Sequence, residues 1–188
     1  MNVRGQAVYD PRTRGLHWLT AAFVILLWTL GQTIDFFATG SPRVAARSVH
    51  ITLGVVLAVI VAYRLWWRRS PQRTVPPPLE DRLGRIGTRT HQALYVLVAA
   101  VVVLGFFNEW VRGDSIFGLF RIPALDPGNK PLRELAGEVH GWGANVLLIV
   151  AAVHALAGLY HHIVLRDDVL RRMLPQRHPA AESRPSAP

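Results

Sequence analysis

The stretch VHGWGANVLLIVAAVHALAGLYHHI, Val139 to Ile163, decides the reading of this chain. It is apolar almost throughout. At about 1.5 Å per residue it is long enough to cross roughly 30 Å of hydrocarbon as a helix. Yet it carries two histidines fourteen residues apart, His140 and His154. At about 100° per residue, fourteen steps return to nearly the same helix face, and they set the two imidazoles roughly 21 Å apart along the axis. Ionisable groups inside a membrane span are costly and usually serve a function. Two metal centres stacked across a membrane would suit this spacing.

Three more segments share that length and hydropathy. The four run Leu16–Ala38, Val49–Trp67, Ala93–Trp110 and Gly141–Leu165. Helices satisfy their own backbone hydrogen bonds, as lipid requires, so the expected fold is all-α: an integral membrane four-helix bundle. The first run follows Arg4, Arg12 and Arg14 as a signal peptide might. It is long for that purpose and three similar runs follow, so it reads as a span. With 188 residues, 51% of them hydrophobic, a single membrane domain over residues 16–174 is expected. A short N-terminus (1–15) precedes it. A tail rich in proline and alanine (175–188) follows, read as disordered.

No cysteine is present, which excludes disulfides, iron–sulfur clusters and thiolate haem ligation. The net charge of +9 raises the question of a nucleic-acid partner. The arginines flank apolar runs and form no patterned basic face, so nucleic acid is rejected in favour of membrane topology. Fifteen of the 21 Lys/Arg fall on the side holding both termini and the second-to-third connection. The remaining six are Arg43, Arg47, Arg112, Arg121, Lys130 and Arg133, and they are matched by six acids on that side. The positive-inside rule therefore puts both termini in the cytoplasm. Trp18, Trp66 and Trp67 would form an aromatic belt at the inner interface, and Trp110 and Trp142 one at the outer. The proline-rich linker Ser70–Leu79 reads as extended. The segment Val111–Glu138 reads as a surface stretch partly covering the outer mouth of the bundle.

Depth then pairs the histidines. His17 opens the first span near the cytoplasm and His154 lies at the same depth on the fourth. His50 and His140 each open a span at the outer side. An interfacial role is the plainer reading of any one of them; four at two matched depths favour two ligand pairs, each gripping one iron from opposite faces. Neutral imidazole is a good iron ligand. Zinc wants four clustered ligands, whereas two and two far apart suit a pair of six-coordinate haem irons. Gly54, one turn after His50, would leave room for a porphyrin face, although close helix packing explains a membrane glycine equally well. Arg64 shares the face of His50 at the depth of the inner centre. A haem propionate partner and a snorkelling interfacial arginine are both open for it.

His91 is the main competitor at the inner centre and is read as a supporting or interfacial residue. His161 and His162 are assigned to the interface or to proton exchange, and His178 to the solvated tail. Asp35 and Glu109 are read as interfacial carboxylates rather than proton donors to a quinone.

The order of these pieces resembles the bacterial cytochrome b561 and nickel-hydrogenase cytochrome b group. The carrying residues are Arg14-Gly15-Leu16-His17-Trp18-Leu19, His50-Ile51-Thr52-Leu53-Gly54 with Arg64 downstream, His91, Val139-His140 to His154, and His161-His162 to Asp167-Asp168-Val169-Leu170-Arg171-Arg172-Met173. The resemblance covers about residues 8–175. It implies two b-type haems, one ligated by His17 with His154 and the other by His50 with His140. It is closest to small stand-alone members, which include a superoxide oxidase passing electrons from superoxide to ubiquinone. Other relatives are membrane anchors that carry electrons between a partner dehydrogenase or hydrogenase and quinone. The expected setting is a bacterial inner membrane, crossed several times.

Three functions follow as expectations. The first is a redox protein exchanging electrons with the quinone pool, with superoxide as a candidate donor. The second is a cytochrome subunit serving a redox partner protein. The third is a haem-free transporter using the histidines for protons or a metal ion.

Overall fold

The computed structural model describes residues 8–72 and 82–174. The first seven residues, most of the proline linker and the tail with His178 lie outside the described residues. Four helices make up the bundle: α1 (Pro11–Thr33), α2 (Ser41–Trp67), α3 (Arg82–Arg112) and α4 (Lys130–Ile163). Each is long and apolar enough to cross a membrane. All four touch in a closed ring, with α3 on α4 and α1 on α2 the most extensive contacts. Short 3₁₀ turns follow α1 (Ile34–Phe36) and close the described chain (Arg171–Met173).

The helices outrun the apolar segments because their ends carry capping chemistry. Asp10 accepts the backbone N–H of Thr13 at 2.9 Å and precedes Pro11, a residue preorganised for the first turn. Asn129 accepts the N–H of Leu132 at 3.0 Å, with Pro131 inside the first turn. Burial pushes the Asp10 carboxyl up. The Thr13 hydroxyl and N–H and the Trp67 indole more than offset it, holding Asp10 below the usual 3.8.

One buried cluster, Leu27, Leu57, Val61, Val98 and Leu147, ties the four helices together at mid-height. The outward faces are apolar too. Val59, Val96, Val103, Ile149 and Leu156 are each more than 60% exposed. In water that surface would drive aggregation, whereas in lipid it is the solvent-facing side. The belt of tryptophans needs one correction. Trp66, Trp110 and Trp142 are exposed as expected, but Trp67 is only 5% exposed. Its indole donates to Asp10 and Thr13 at 3.2 Å, pinning the end of α2 to the start of α1.

The segment 111–138 also differs from expectation. Lys130–Glu138 belong to α4, so the connection is shorter and carries a hairpin of β1 (Ser115–Ile116) and β2 (Phe120–Arg121). Phe117 and Gly118 both have positive φ, 51° and 73°, as a tight hairpin turn requires. Ser48 on α2, fully buried, fixes that turn by accepting the Phe117 N–H at 2.8 Å. Gly113 ends α3 at φ 64°, where a Cβ would lie 2.6 Å from Ala124. Only glycine fits there. The hairpin marks one end of the bundle; the start of α1 and the end of α4 mark the other.

Candidate functional site

Four of the histidines meet in two pairs, and both pairs are those matched by depth. The rings of His17 (α1) and His154 (α4) lie 6.3 Å apart between centroids at the termini end. The rings of His50 (α2) and His140 (α4) lie 6.3 Å apart at the hairpin end. A metal–imidazole bond of about 2.0 Å, plus roughly 1.1 Å from nitrogen to ring centre, gives about 6.2 Å across an ion held by two imidazoles. None of the four opens its helix. His50 and His140 sit in the tenth and eleventh positions of helices that begin at Ser41 and Lys130.

The hairpin-end pair lines a cavity of about 380 Å³ walled by all four helices. Such a volume falls in the range of small-molecule and cofactor sites. Nδ1 of His50 and of His140 is buried without a partner. The backbone at Leu27 approaches the first ring and that at Val101 the second. An imidazole that ligates a metal through Nε2 uses Nδ1–H to fix its orientation, and a backbone carbonyl commonly accepts it.

Two glycines that the sequence reading passed over face the rings, and at Gly105 a side chain would crowd its histidine. A Cβ at Gly31 would sit 3.4 Å from His50 Cε1, and one at Gly105 only 3.1 Å from His140 Cε1. Gly54 and Gly141 line the cavity. Gly143 packs on Val101 and Leu104, and Gly158 faces Leu170.

At the mouth of this cavity stand Arg47, Arg112 and Glu109. Arg47 Nη1 lies 3.2 Å from Asp114 Oδ1 and Arg112 Nε lies 3.0 Å from Asp114 Oδ2. Glu109 corrects the sequence reading: it lines the cavity wall with Oε2 buried and unpartnered, so it is not a plain interfacial carboxylate. Asp35, 83% exposed and 3.6 Å from Arg43, matches that reading better, although it too reaches the cavity rim. Between the two pairs, Trp28 Nε1 donates to Asn145 Oδ1 at 2.8 Å, a polar tie across α1 and α4 that the sequence reading did not single out.

The termini-end pair has different company. Arg64 Nη2 lies 3.2 Å from His17 Nδ1, so the residue chosen from its face and depth does reach that centre. A guanidinium only donates, so Nδ1 accepts in this contact. Arg64 and Arg68 both lie over the Tyr95 ring, at 5.0 and 4.9 Å. His91 is 5.1 Å from His154, too close for an ion to sit between their rings. It is therefore a neighbour of His154 in this arrangement and not its partner across a metal. Further toward the end, His161 Nδ1 meets Asp167 Oδ2 at 2.5 Å, and His162 Nδ1 is buried without a partner. Burial pushes Asp167 up, but bonds from His161 and the Val169 N–H together hold it below its ordinary value.

Among the described residues, no group of three or more His, Cys, Asp or Glu is placed to hold a metal ion. Zinc therefore finds no four-ligand set there. Two facing imidazoles with an apolar, glycine-lined slot fit an iron whose other four ligands come from a porphyrin.

The sequence profile of prokaryotic cytochrome b561 matches residues 8–176. Among curated relatives, the chain is 28% identical over 172 residues to "cytochrome b561 homolog 2" of Escherichia coli, covering 88% of this chain and 90% of the relative. It is 31% identical over 169 residues to the "probable superoxide oxidase CybB" of Yersinia pestis, covering 87% and 93%. It is 25% identical over 170 residues to "cytochrome b562" of Cereibacter sphaeroides, covering 86% and 92%.

Proposed function

The chain belongs to the prokaryotic cytochrome b561 family, a membrane b-type cytochrome with an electron-transfer role, and on that footing we propose that it is a di-haem protein passing electrons to the quinone pool. The reading places both termini in the cytoplasm of a bacterial inner membrane, so the hairpin end faces outward. The single observation that carries it is the pair of 6.3 Å imidazole separations at opposite ends of one bundle. His50 with His140 would hold one haem and His17 with His154 the other. Haem held there by the two imidazoles of each pair would supply one-electron transfer.

The chain's own residues supply the rest. Gly54, Gly105 and Gly141 shape the slot. With Nε2 on an iron, the neighbouring backbone at Leu27 and Val101 would be the acceptor for each Nδ1–H. The core from Leu27 to Leu147 keeps water out of the space between the centres.

The donor proposed at the hairpin end is superoxide, the substrate in the name of the Yersinia pestis relative. Two superoxides would give two electrons and leave as oxygen, while one ubiquinone takes up the electrons and two protons to become ubiquinol. The test uses the purified full chain. Pyridine haemochrome should give two haems b per chain. His50→Ala and His140→Ala should remove one spectral component, and His17→Ala and His154→Ala the other. A stoichiometry of one, or retention of the termini-end component in His17→Ala but not in His91→Ala, would overturn the ligand assignment. Reduction of a quinone analogue by enzymatically generated superoxide, with no partner protein added, should proceed. Its absence would favour a subunit dependent on a redox partner.

A further inference from the structure

Six basic residues stand at the hairpin end, and two of them, Arg47 and Arg112, line the cavity between His50 and His140. Arg43 is engaged elsewhere: it donates to the carbonyls of Phe37 and Asp35 at 2.9 and 3.1 Å. Arg47 is three residues before His50, so it stands about one turn, roughly 4.5 Å, nearer the mouth. Arg112 is the last residue of α3, seven beyond the Gly105 that faces His140. Two guanidiniums converging on one pocket repel each other, and Asp114 offsets that by giving one carboxylate oxygen to each. All three side chains are at most 24% exposed, so the cluster is shielded rather than splayed into solvent. A guanidinium has five N–H donors in a planar fork suited to carboxylates, and Asp114 takes a single nitrogen of each.

The arrangement asks for acidic groups inside the cavity. The carboxyls lining it are Glu109 and Asp35, while Asp114 sits on the two arginines. Asp35 is directed to Arg43, and Glu109 Oε2 has no partner. Haem brings two carboxylates on one edge of its ring, and burying them unpaired near lipid is costly. Resting on the proposed function, we propose that Arg47 and Arg112 form the propionate-binding site of the haem between His50 and His140, with Asp114 as the positioning residue that holds the two guanidiniums side by side. The mouth of the cavity is then the edge at which that haem meets the aqueous side.

The test uses the holo-protein and reads the bound group itself. The propionate-bending bands in resonance Raman spectra of the hairpin-end haem are compared in wild type, Arg47→Gln, Arg112→Gln and Asp114→Asn. Haem loss to excess apomyoglobin is timed in the same proteins. Both arginine variants should shift the bands and speed loss of that haem by on the order of ten-fold each, since a hydrogen bond between charged groups contributes about that factor. Arg47→Lys and Arg112→Lys keep the charge and guard against a folding defect; they should restore slow loss while leaving the bands shifted. Asp114→Asn should shift the bands with a smaller change in loss. Unchanged bands and unchanged loss in both glutamine variants overturn the propionate site, with haem ligation standing. If the haem followed in this way persists in His50→Ala and His140→Ala, the ligand assignment falls and the propionate site with it.

Discussion

Replacing Gly105 by alanine should disturb the hairpin-end haem, whereas the same change at Gly31 should not. At Gly105 the new Cβ would lie 3.1 Å from His140 Cε1 and 3.5 Å from Nδ1. Carbon atoms rest about 3.5–4.0 Å apart, so the ring must retreat by roughly 0.4 Å or more. At Gly31 the contacts to His50 would be 3.4 and 3.8 Å, close to ordinary packing. Both substitutions gain about 0.8–1 kcal/mol of helix propensity. At Gly31 that gain stands, and thermal unfolding should move up by a few degrees. At Gly105 it is set against a ligand forced off its rotamer, at about 0.5–1.5 kcal/mol. Stability should then change little while the ligand geometry changes. The assay is a redox titration of both spectral components together with a melting curve. Gly105→Ala should shift the potential or band position of the component that His140→Ala removes. Gly31→Ala should raise the melting temperature and leave both components alone. If the Gly31 variant disturbed the centre and the Gly105 variant did not, the ring placement argued here would be wrong.

The imidazole planes cross at 74° in one pair and 90° in the other. Crossed axial rings give low-spin ferric haem a single strongly anisotropic low-field EPR feature, so two such features are expected. Ordinary rhombic three-line spectra would mean that the rings lie parallel. Ser48→Ala should cost about 1 kcal/mol, because the part-buried Phe117 N–H loses its acceptor. Hydrogen exchange should speed at the hairpin and not in α1, and uniform protection would count against this pin. Asp10→Ala should cost about 1 kcal/mol as a lost helix cap. Because Asp10 titrates below 3.8 in the fold, its contribution is full above that pH and fades as pH falls through the lower folded value. Denaturation curves of wild type and variant that stay equally far apart down to pH 2 would contradict this.

Much of the architecture was legible in the residues because lipid imposes a simple rule: long apolar runs must be helices, and a helix makes depth a linear function of residue number. From that, His17 could be matched with His154 and His50 with His140 before any fold was known. The helix ends were legible in principle as well. Asp10-Pro11 and Asn129 with Pro131 are start signals, but hydropathy alone marks only the part inside hydrocarbon. The hairpin left no such trace, since two-residue strands are too short to show a period.

The sequence by itself determined the class of the protein, the number of spans and the depth of each histidine, all of which depend on one helix at a time. Tertiary structure decided what depends on rotation of one helix against another. It put Trp67 inside and Trp66 outside, although they are neighbours in the chain. It set His91 5.1 Å from His154 but gave His17 the 6.3 Å spacing. It turned Gly105 toward His140 and brought Arg47 and Arg112 onto one carboxylate contributed by the loop. Depth is fixed by the rise of a single helix. Azimuth is fixed only when four apolar faces settle which side each gives to lipid and which to its neighbours.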